Sequence, residues 1–329
     1  MARRSFSPIP ALALLTLCCL PYAAAAADGP TRLTVEPVSV TLRGRWDRSQ
    51  LVVTGRFASG QVRDLTAGVT WTVEGPAAVS PGGVVTPRGN GRAVVVARFG
   101  GVEARVPVQV DRHDKPDPVS FVGQVIPTLT KAGCNAGACH GTPTGKNGFK
   151  LSLRGYDPAL DLVSLTREFT GRRLSLQAPD QSLFLRKATG QMPHEGGKRF
   201  DRNSPLYQLV RQWVAEGARA DADTAPRLVR LEISPSGRLL EAPADGQQLR
   251  VAALGSDGVR RDVTHLARYS VNDEAIAAVS PGGRVEKRTA GEVAVIAEYR
   301  NQMATALITF LESRPGFVWS PPPENNYSS

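Results

Sequence analysis

The sequence predicts two all-β sandwiches flanking an all-α domain. Three observations lead there: a duplication written in short β-branched runs, helical periodicity confined to the stretch between the copies, and many turn-forming residues. The 329 residues include 32 Gly and 25 Pro, with 41% hydrophobic and 21% charged residues. That length suits two or three domains of ordinary size.

The chain opens with an export signal. Arg3 and Arg4 give a positive start, Ala11 to Leu20 an apolar run too short to span a bilayer, and Ala23 to Ala27 small residues for cleavage. Asp28 is then the expected mature start. Cys18 and Cys19 lie in this segment, and neither has a small residue before it, which disfavours a lipid-modified N-terminus. No later run is apolar enough for a membrane helix, so the expected location is the periplasm or the cell surface. Two of the four cysteines therefore remain, Cys134 and Cys139, and in an oxidising compartment such a pair commonly becomes a disulfide. Without the two signal arginines the chain holds 38 basic and 30 acidic residues, a net of +8. No basic run is interleaved with aromatics, so the charge implies solubility or docking on an acidic partner, not nucleic acid.

The duplication is explicit. Ala77-Ala78-Val79-Ser80-Pro81-Gly82-Gly83 recurs as Ala277-Ala278-Val279-Ser280-Pro281-Gly282-Gly283, and Arg63-Asp64-Leu65-Thr66 as Arg261-Asp262-Val263-Thr264. The order and near-equal spacing of the matches mark a repeated unit. Leu33-Thr34-Val35, Leu51-Val52-Val53-Thr54 and Ala93-Val94-Val95-Val96-Ala97 read as strands of the first copy. Leu231-Glu232-Ile233, Leu249-Arg250-Val251-Ala252 and Val293-Ala294-Val295-Ile296-Ala297 read as strands of the second. This motif order resembles group 2 bacterial Ig-like domains. His113 and His265, one per copy, are isolated and read as structural.

Between the copies, residues 116–220 form a stretch of different character. Pro118 and Ser120 signal a helix start, with Phe121, Val125, Ile126 and Leu129 as its stripe. Ser204-Pro205 opens a last helix carrying Leu206, Leu209, Val210, Trp213 and Val214. Shorter helices are expected at 161–169 and 181–187. From Asp117 to Arg219 there are 14 basic and 8 acidic residues, most of the chain's excess. Arg172, Arg173, Lys198 and Arg199 are candidates for pairing with an anionic group.

The chemistry concentrates in Gly133-Cys134-Asn135-Ala136-Gly137-Ala138-Cys139-His140-Gly141. Two thiols followed directly by an imidazole are what covalent haem attachment requires, although the usual spacing has two residues between the cysteines and this one has four. His140 would be the proximal iron ligand and Met192 the distal one, with His194 as its competitor. Gly137 is the residue expected to let the loop turn. The disulfide, and a zinc site using Cys134, Cys139 and His194, are the other readings of the same residues. No hydrolase triad, phosphate loop or paired-carboxylate signature stands out, so an enzyme is not expected.

The helix–loop–helix order resembles class I cytochrome c, with Phe121 and Trp213 or Tyr207 at the crossing of first and last helices. The stretches Gly148-Phe149-Lys150-Leu151-Ser152-Leu153, Gly155-Tyr156-Asp157-Pro158, Gly171-Arg172-Arg173 and Pro193-His194 resemble the haem-attachment region of planctomycete-type exported multidomain proteins. There a cytochrome c-like module lies between Ig-like modules. That resemblance implies a haem c protein transferring electrons to a redox partner, with Ig-like domains that bind envelope or other protein partners. It also implies that the tail at 313–329 leads on to further domains. The expected layout is a signal peptide at 1–27, Ig-like sandwiches at 28–112 and 226–312, a cytochrome c-like haem domain at 116–220, and a Pro-rich tail at 313–329.

Overall fold

The computed structural model describes residues 29–312; the export signal and the tail lie outside them. Alternating burial and β-branched runs build ten strands in the first copy. These are β1 (Pro30–Glu36), β2 (Val40–Arg43), β3 (Ser49–Gln50), β4 (Val52–Phe57), β5 (Val62–Asp64), β6 (Thr70–Glu74), β7 (Ala77–Val79), β8 (Val84–Pro87), β9 (Gly91–Phe99) and β10 (Val102–Asp111). They form sheets ordered β1-β4-β5, β2-β10-β9-β6 and β3-β8-β7. In β10, Val106, Val108 and Val110 point inward while Glu103, Arg105 and Pro107 face solvent. This period of two buries one face of the sheet. The inner faces meet over Leu33, Leu42, Leu51, Val53, Val85 and Val95.

The second copy repeats the plan strand for strand. Its elements are β11 (Leu228–Ser234), β12 (Gly237–Glu241), β13 (Gly246–Gln248), β14 (Arg250–Gly255), β15 (Arg260–Asp262), β16 (Arg268–Val271), β17 (Ala277–Val279), β18 (Arg284–Lys287), β19 (Gly291–Tyr299) and β20 (Gln302–Leu311). The sheet orders are β11-β14-β15, β12-β20-β19-β16 and β13-β18-β17. In both copies the last strand runs antiparallel to its predecessor and parallel to the second strand, as with β10 against β9 and β2.

The repeated Arg-Asp-(Leu/Val)-Thr motif has a physical role in joining the copies. Asp64 accepts the Thr66 N–H through Oδ1 (2.8 Å), and its Oδ2 reaches across to the Gln248 N–H of the second copy. Asp262 does the same in reverse, holding the Thr264 N–H (3.0 Å) and the Gln50 N–H of the first copy (3.0 Å). Gln50 and Gln248 each donate their side-chain amide to the next residue's carbonyl and to the carbonyl of Gly82 or Gly282. The two units are thus related by an approximate two-fold, with each lending a carboxylate to the other. Arg284 pairs with Asp64 across the junction, while Arg250 pairs with Asp262 within its own unit. Both carboxylates are almost completely shielded from solvent, where such hydrogen bonds strengthen and an unmatched partner is costly.

The middle stretch corrects the expected all-α domain. It contains four short α-helices: α1 (Ile126–Lys131), α2 (Pro158–Thr166), α3 (Leu183–Ala188) and α4 (Pro205–Ala215). A wide π-type turn, Phe121–Val125, leads into α1, and three 3₁₀ turns lie between the helices. Ser120 caps the first turn through the Gly123 N–H (2.7 Å), and Ser204 caps α4 through the Tyr207 N–H (3.2 Å). The rings of Phe121 and Trp213 stack at 5.1 Å. Even so, no separate helical domain closes. The core of this stretch, built on Phe121, Leu129, Leu165, Leu185 and Trp213, runs without a break into Leu231, Val251, Leu266 and Tyr299 of the second β unit. Helices of 6 to 11 residues present too little apolar face to close a core alone, so they lean on a sheet. Tyr299 donates its hydroxyl to Gly123 O (2.7 Å), and Lys131 Nζ bonds Ala267 O (2.8 Å) and Pro281 O (2.6 Å). The molecule is a predominantly β protein with a helical insert, and the resemblance to class I cytochrome c fails at the level of the domain.

His265 lies half-buried where the two units meet, beside a cavity of about 40 Å³ lined also by Arg48, Gln50, Asp262 and Thr264. Its Nδ1 has no hydrogen-bond partner among the described residues. Burial first, then the charges of Arg48 and Lys131, hold its pKa down to about 3. A lowered imidazole pKa contributes stability that is present above pH 6.5 and is lost as the pH falls from there toward 3. Asp47, half-buried nearby and raised to about 6 mainly by desolvation, acts in the opposite sense, adding stability as the pH falls from about 6 to 4. Between pH 7 and 5, the unfolding free energy of the parent should therefore fall by about 2 kcal/mol more than that of His265→Gln. Urea titrations at the two pH values check this slope. At pH 7, Asp64→Ala should cost roughly 3 kcal/mol, because it strands the Gln248 N–H and Arg284 at the junction; the shift in urea midpoint measures it.

Candidate functional site

The loop after α1 is built by its backbone. Ala132 and Gly133 end the helix, and the Cys134 N–H bonds back to Leu129 O (2.9 Å). Cys134 O then accepts from the His140 N–H (3.0 Å), and His140 O accepts from the Leu151 N–H (2.8 Å). The chain passes so close to itself that a Cβ on Gly141 would lie 2.2 Å from Asn135 O. Gly141 must therefore be a glycine, as must Gly145, whose Cβ would lie 2.4 Å from Phe149 O. Gly137, singled out from sequence, would meet only ordinary contact if it carried a Cβ.

Three further elements close around this loop. Asp161 of α2 accepts from the Ser152 N–H and Oγ (2.5 and 2.7 Å), fixing the segment that carries Phe149. α3 supplies Phe184 and Lys187, and the loop after it supplies His194 and Arg199. The result is a cavity of about 440 Å³. Phe149, Phe169, Phe184 and Leu183 form its apolar walls, and Lys146, Arg172, Arg173, Lys187 and Arg199 surround it against the single acid Glu195.

Cys134, Cys139, His140 and His194 all line the cavity; Met192 does not. Met192 sits half-buried on the loop beyond α3, its N–H directed at Arg186 O (3.3 Å). Cys134 is 6% exposed and packs with the core, and burial pushes its thiol up to about 12. Cys139 is half-exposed, with an Arg199 guanidinium N–H 3.5 Å from its sulfur. Both thiols are free, so the structure contains no Cys134–Cys139 disulfide.

The two histidines face each other with rings nearly parallel and centroids 6.3 Å apart. His140 Nδ1 lies 2.9 Å from Phe149 O, and His194 Nδ1 lies 2.7 Å from Gly197 O. A carbonyl only accepts, so Nδ1 donates in both rings and the Nε2 atoms are the ring nitrogens not engaged by these carbonyls. Burial is the largest cause lowering the pKa of His140, with His194, Arg173 and Arg199 adding to it. Arg173 is committed to structure: it bonds Ser164 O and Gly148 O (both 2.6 Å), pairs with Glu168, and covers the faces of Phe149 and Phe169. Lys198 pairs with Asp201 outside the cavity.

These placements correct the cofactor expectation. Among the described residues, no three His, Cys, Asp or Glu side chains converge on a metal position. Met192 stands away from the cavity, and the stretch is not the helical domain that a cytochrome needs. Haem c, iron ligation and electron transfer to a redox partner are set aside for this chain. The walls Phe149, Phe184 and Lys146 were not picked out from sequence as site residues; Gly148-Phe149 and the turn glycines around them were the available signal.

No family model matches this chain, and no curated protein matches it. Among solved structures, domains 5–6 of the S-layer protein SbsC align over 87% of this chain and 99% of that one, at 11% identity and a TM-score of 0.33. Domains 4–9 of the same protein align over 86% and 31%, at 12% identity and 0.31. Human protocadherin-24 EC1-2 aligns over 87% and 99%, at 9% identity and 0.17. Likenesses of this depth carry no argument about function.

Iodoacetamide at pH 8 should modify Cys139 on the order of tenfold faster than Cys134, since only the former is accessible and burial keeps Cys134 protonated. Peptide mass spectrometry over a time course reads the ratio. No helix among the described residues is long and apolar enough to cross a membrane.

Proposed function

We propose that this chain is a structural and binding protein of the cell envelope. Its two Ig-like units act as a rigid pair that displays the helical insert toward an acidic partner. The reciprocal Asp64–Gln248 and Asp262–Gln50 bonds carry the reading, because they turn two β units and an insert into one body without a flexible linker between them. Rigidity of that kind serves spacing and display better than it serves chemistry.

The charge supports the partner's sign. The insert holds 14 basic against 8 acidic residues, and Lys146 and Arg172 stand exposed at the cavity rim. An anionic protein or polymer of the envelope would find both a positive field and apolar walls there. In this reading Cys134, Cys139, His140 and His194 are lining residues of a binding cavity, and Met192 is a loop residue.

The mature chain should co-sediment with an isolated envelope fraction at 50 mM salt and be released several-fold at 500 mM, as expected for contacts between exposed charges. Lys146→Glu together with Arg172→Glu should reduce retention in low salt by a similar factor while leaving the urea midpoint unchanged. Retention indifferent to both salt and these substitutions would rule out the acidic partner.

A further inference from the structure

Among the cations of the cavity, Lys146 and Arg172 stand in solvent at the rim, whereas Arg199 is half-buried. Among the described residues, the one hydrogen-bond contact of the Arg199 guanidinium is the Cys139 sulfur at 3.5 Å. A thiol is a weak acceptor, so a fork of five N–H donors is left short of partners in a partly dried place. Arg173 makes the contrast: its guanidinium is taken up by Ser164 O, Gly148 O and Glu168. Glu195, the one acid of the lining, is exposed and forms no ion pair among the described residues. A shielded guanidinium without an anion is costly, and it marks where an anion is gained most readily.

The wall gives a second, independent observation. Phe169, Thr170 and Gly171 follow one another in the left-handed region, with φ of 49°, 57° and 72°. Glycine adopts this freely, but a phenylalanine and a β-branched threonine do so only under strain. The turn lays the Phe169 ring over Gly148, where a Cβ would come within 3.1 Å of the ring, and leaves the residue 58% exposed at the cavity. A strained turn that presents an apolar ring to open space gains little burial from the protein itself. It gains burial once a ligand covers the ring. Phe149 and Phe184 meet edge to face at 6.3 Å on the same lining and add two more aromatic surfaces.

We infer that the cavity binds a small aromatic carboxylate, its carboxylate paired with Arg199 and its rings packed among Phe149, Phe169 and Phe184. The planar fork of an arginine matches a carboxylate through two parallel N–H···O bonds, and aromatic walls favour a ring over a chain. The volume of about 440 Å³ exceeds the roughly 150 Å³ that holds one benzene, so a ligand of two rings fits. The inference goes beyond the docking reading, with which it shares only the positive cavity.

Solution NMR of the mature chain tests this with 2-naphthoate as the probe. Of the four histidines, only His140 and His194 line the cavity, so the ring signals of His113 and His265 serve as references. The expected result is saturable shifts at His140 and His194 with a Kd on the order of 10⁻⁴ M or tighter. 2-Naphthylmethanol, which keeps the rings and lacks the charge, should bind at least tenfold more weakly. Arg199→Gln should weaken 2-naphthoate about tenfold and leave 2-naphthylmethanol unchanged, whereas Phe169→Ala should weaken both severalfold. Equal binding of the two probes, shifts spread equally to His113 and His265, or no shift at about 1 mM probe overturns the inference. The comparison of the two probes needs no variant, so it stands whether or not either variant folds. Envelope retention keeps the docking reading separate. Salt-sensitive retention without probe binding overturns the small-ligand site alone, and probe binding with salt-indifferent retention supports the site while removing the acidic macromolecular partner.

Discussion

Two buried carboxylates organise this molecule. Asp64 and Asp262 each satisfy a turn in their own unit with one oxygen and a backbone N–H of the other unit with the second. A carboxylate without its partners would be intolerable in so dry a place, so the two units are obliged to meet in one register. Burial pushes the Asp262 carboxyl above its usual range, while Arg250 and the N–H groups of Thr264 and Gln50 pull it back. The same motif that shapes a local turn therefore also sets the arrangement of the domains, and the exchange is symmetric because the motif was duplicated with its surroundings.

The pairing explains how a stretch with little helical mass becomes ordered. The insert leaves the first unit near Asp117 and returns near Asp221, and its ends are tied by Asp221 accepting the Phe121 and Val122 N–H groups (3.0 and 2.7 Å) and by Glu216 accepting that of Val119 (2.7 Å). With its ends fixed, the loop-closure cost is already met, and short helices need only find apolar surface. They find it on the second unit, through Tyr299, Val251 and Leu266. The cavity arises where the loops of this insert fail to fill the space between α3 and the Cys134–His140 turn. Its walls are held by backbone contacts such as the close pass of Gly141 over Asn135.

The strands, the duplication and both helix caps were legible in the sequence, because period-two alternation and Ser or Asp before a helix act locally. Of the two partners expected for Phe121, Trp213 and Tyr207, it is Trp213 whose ring stacks on it, though not in a cytochrome-like helix crossing. The cavity's membership was half legible: Cys134, Cys139, His140 and His194 all line it, but Met192, two residues before His194, does not. The cytochrome-like reading failed for a definite reason. A Cys-Cys-His spacing and a helix order describe one stretch of chain, whereas whether that stretch closes its own core depends on what lies beside it.

By itself, then, the sequence determined what is local: strand alternation, helix starts, and the repeated turn motif. Tertiary structure alone decided what depends on distant pairs. It showed that Arg-Asp-(Leu/Val)-Thr is a clamp between units, since the N–H groups it holds lie 184 and 212 residues away. It showed that the insert borrows its core from a β sheet. Burial and hydrogen bonding are properties of neighbours in space, and no spacing along the chain encodes which neighbour arrives.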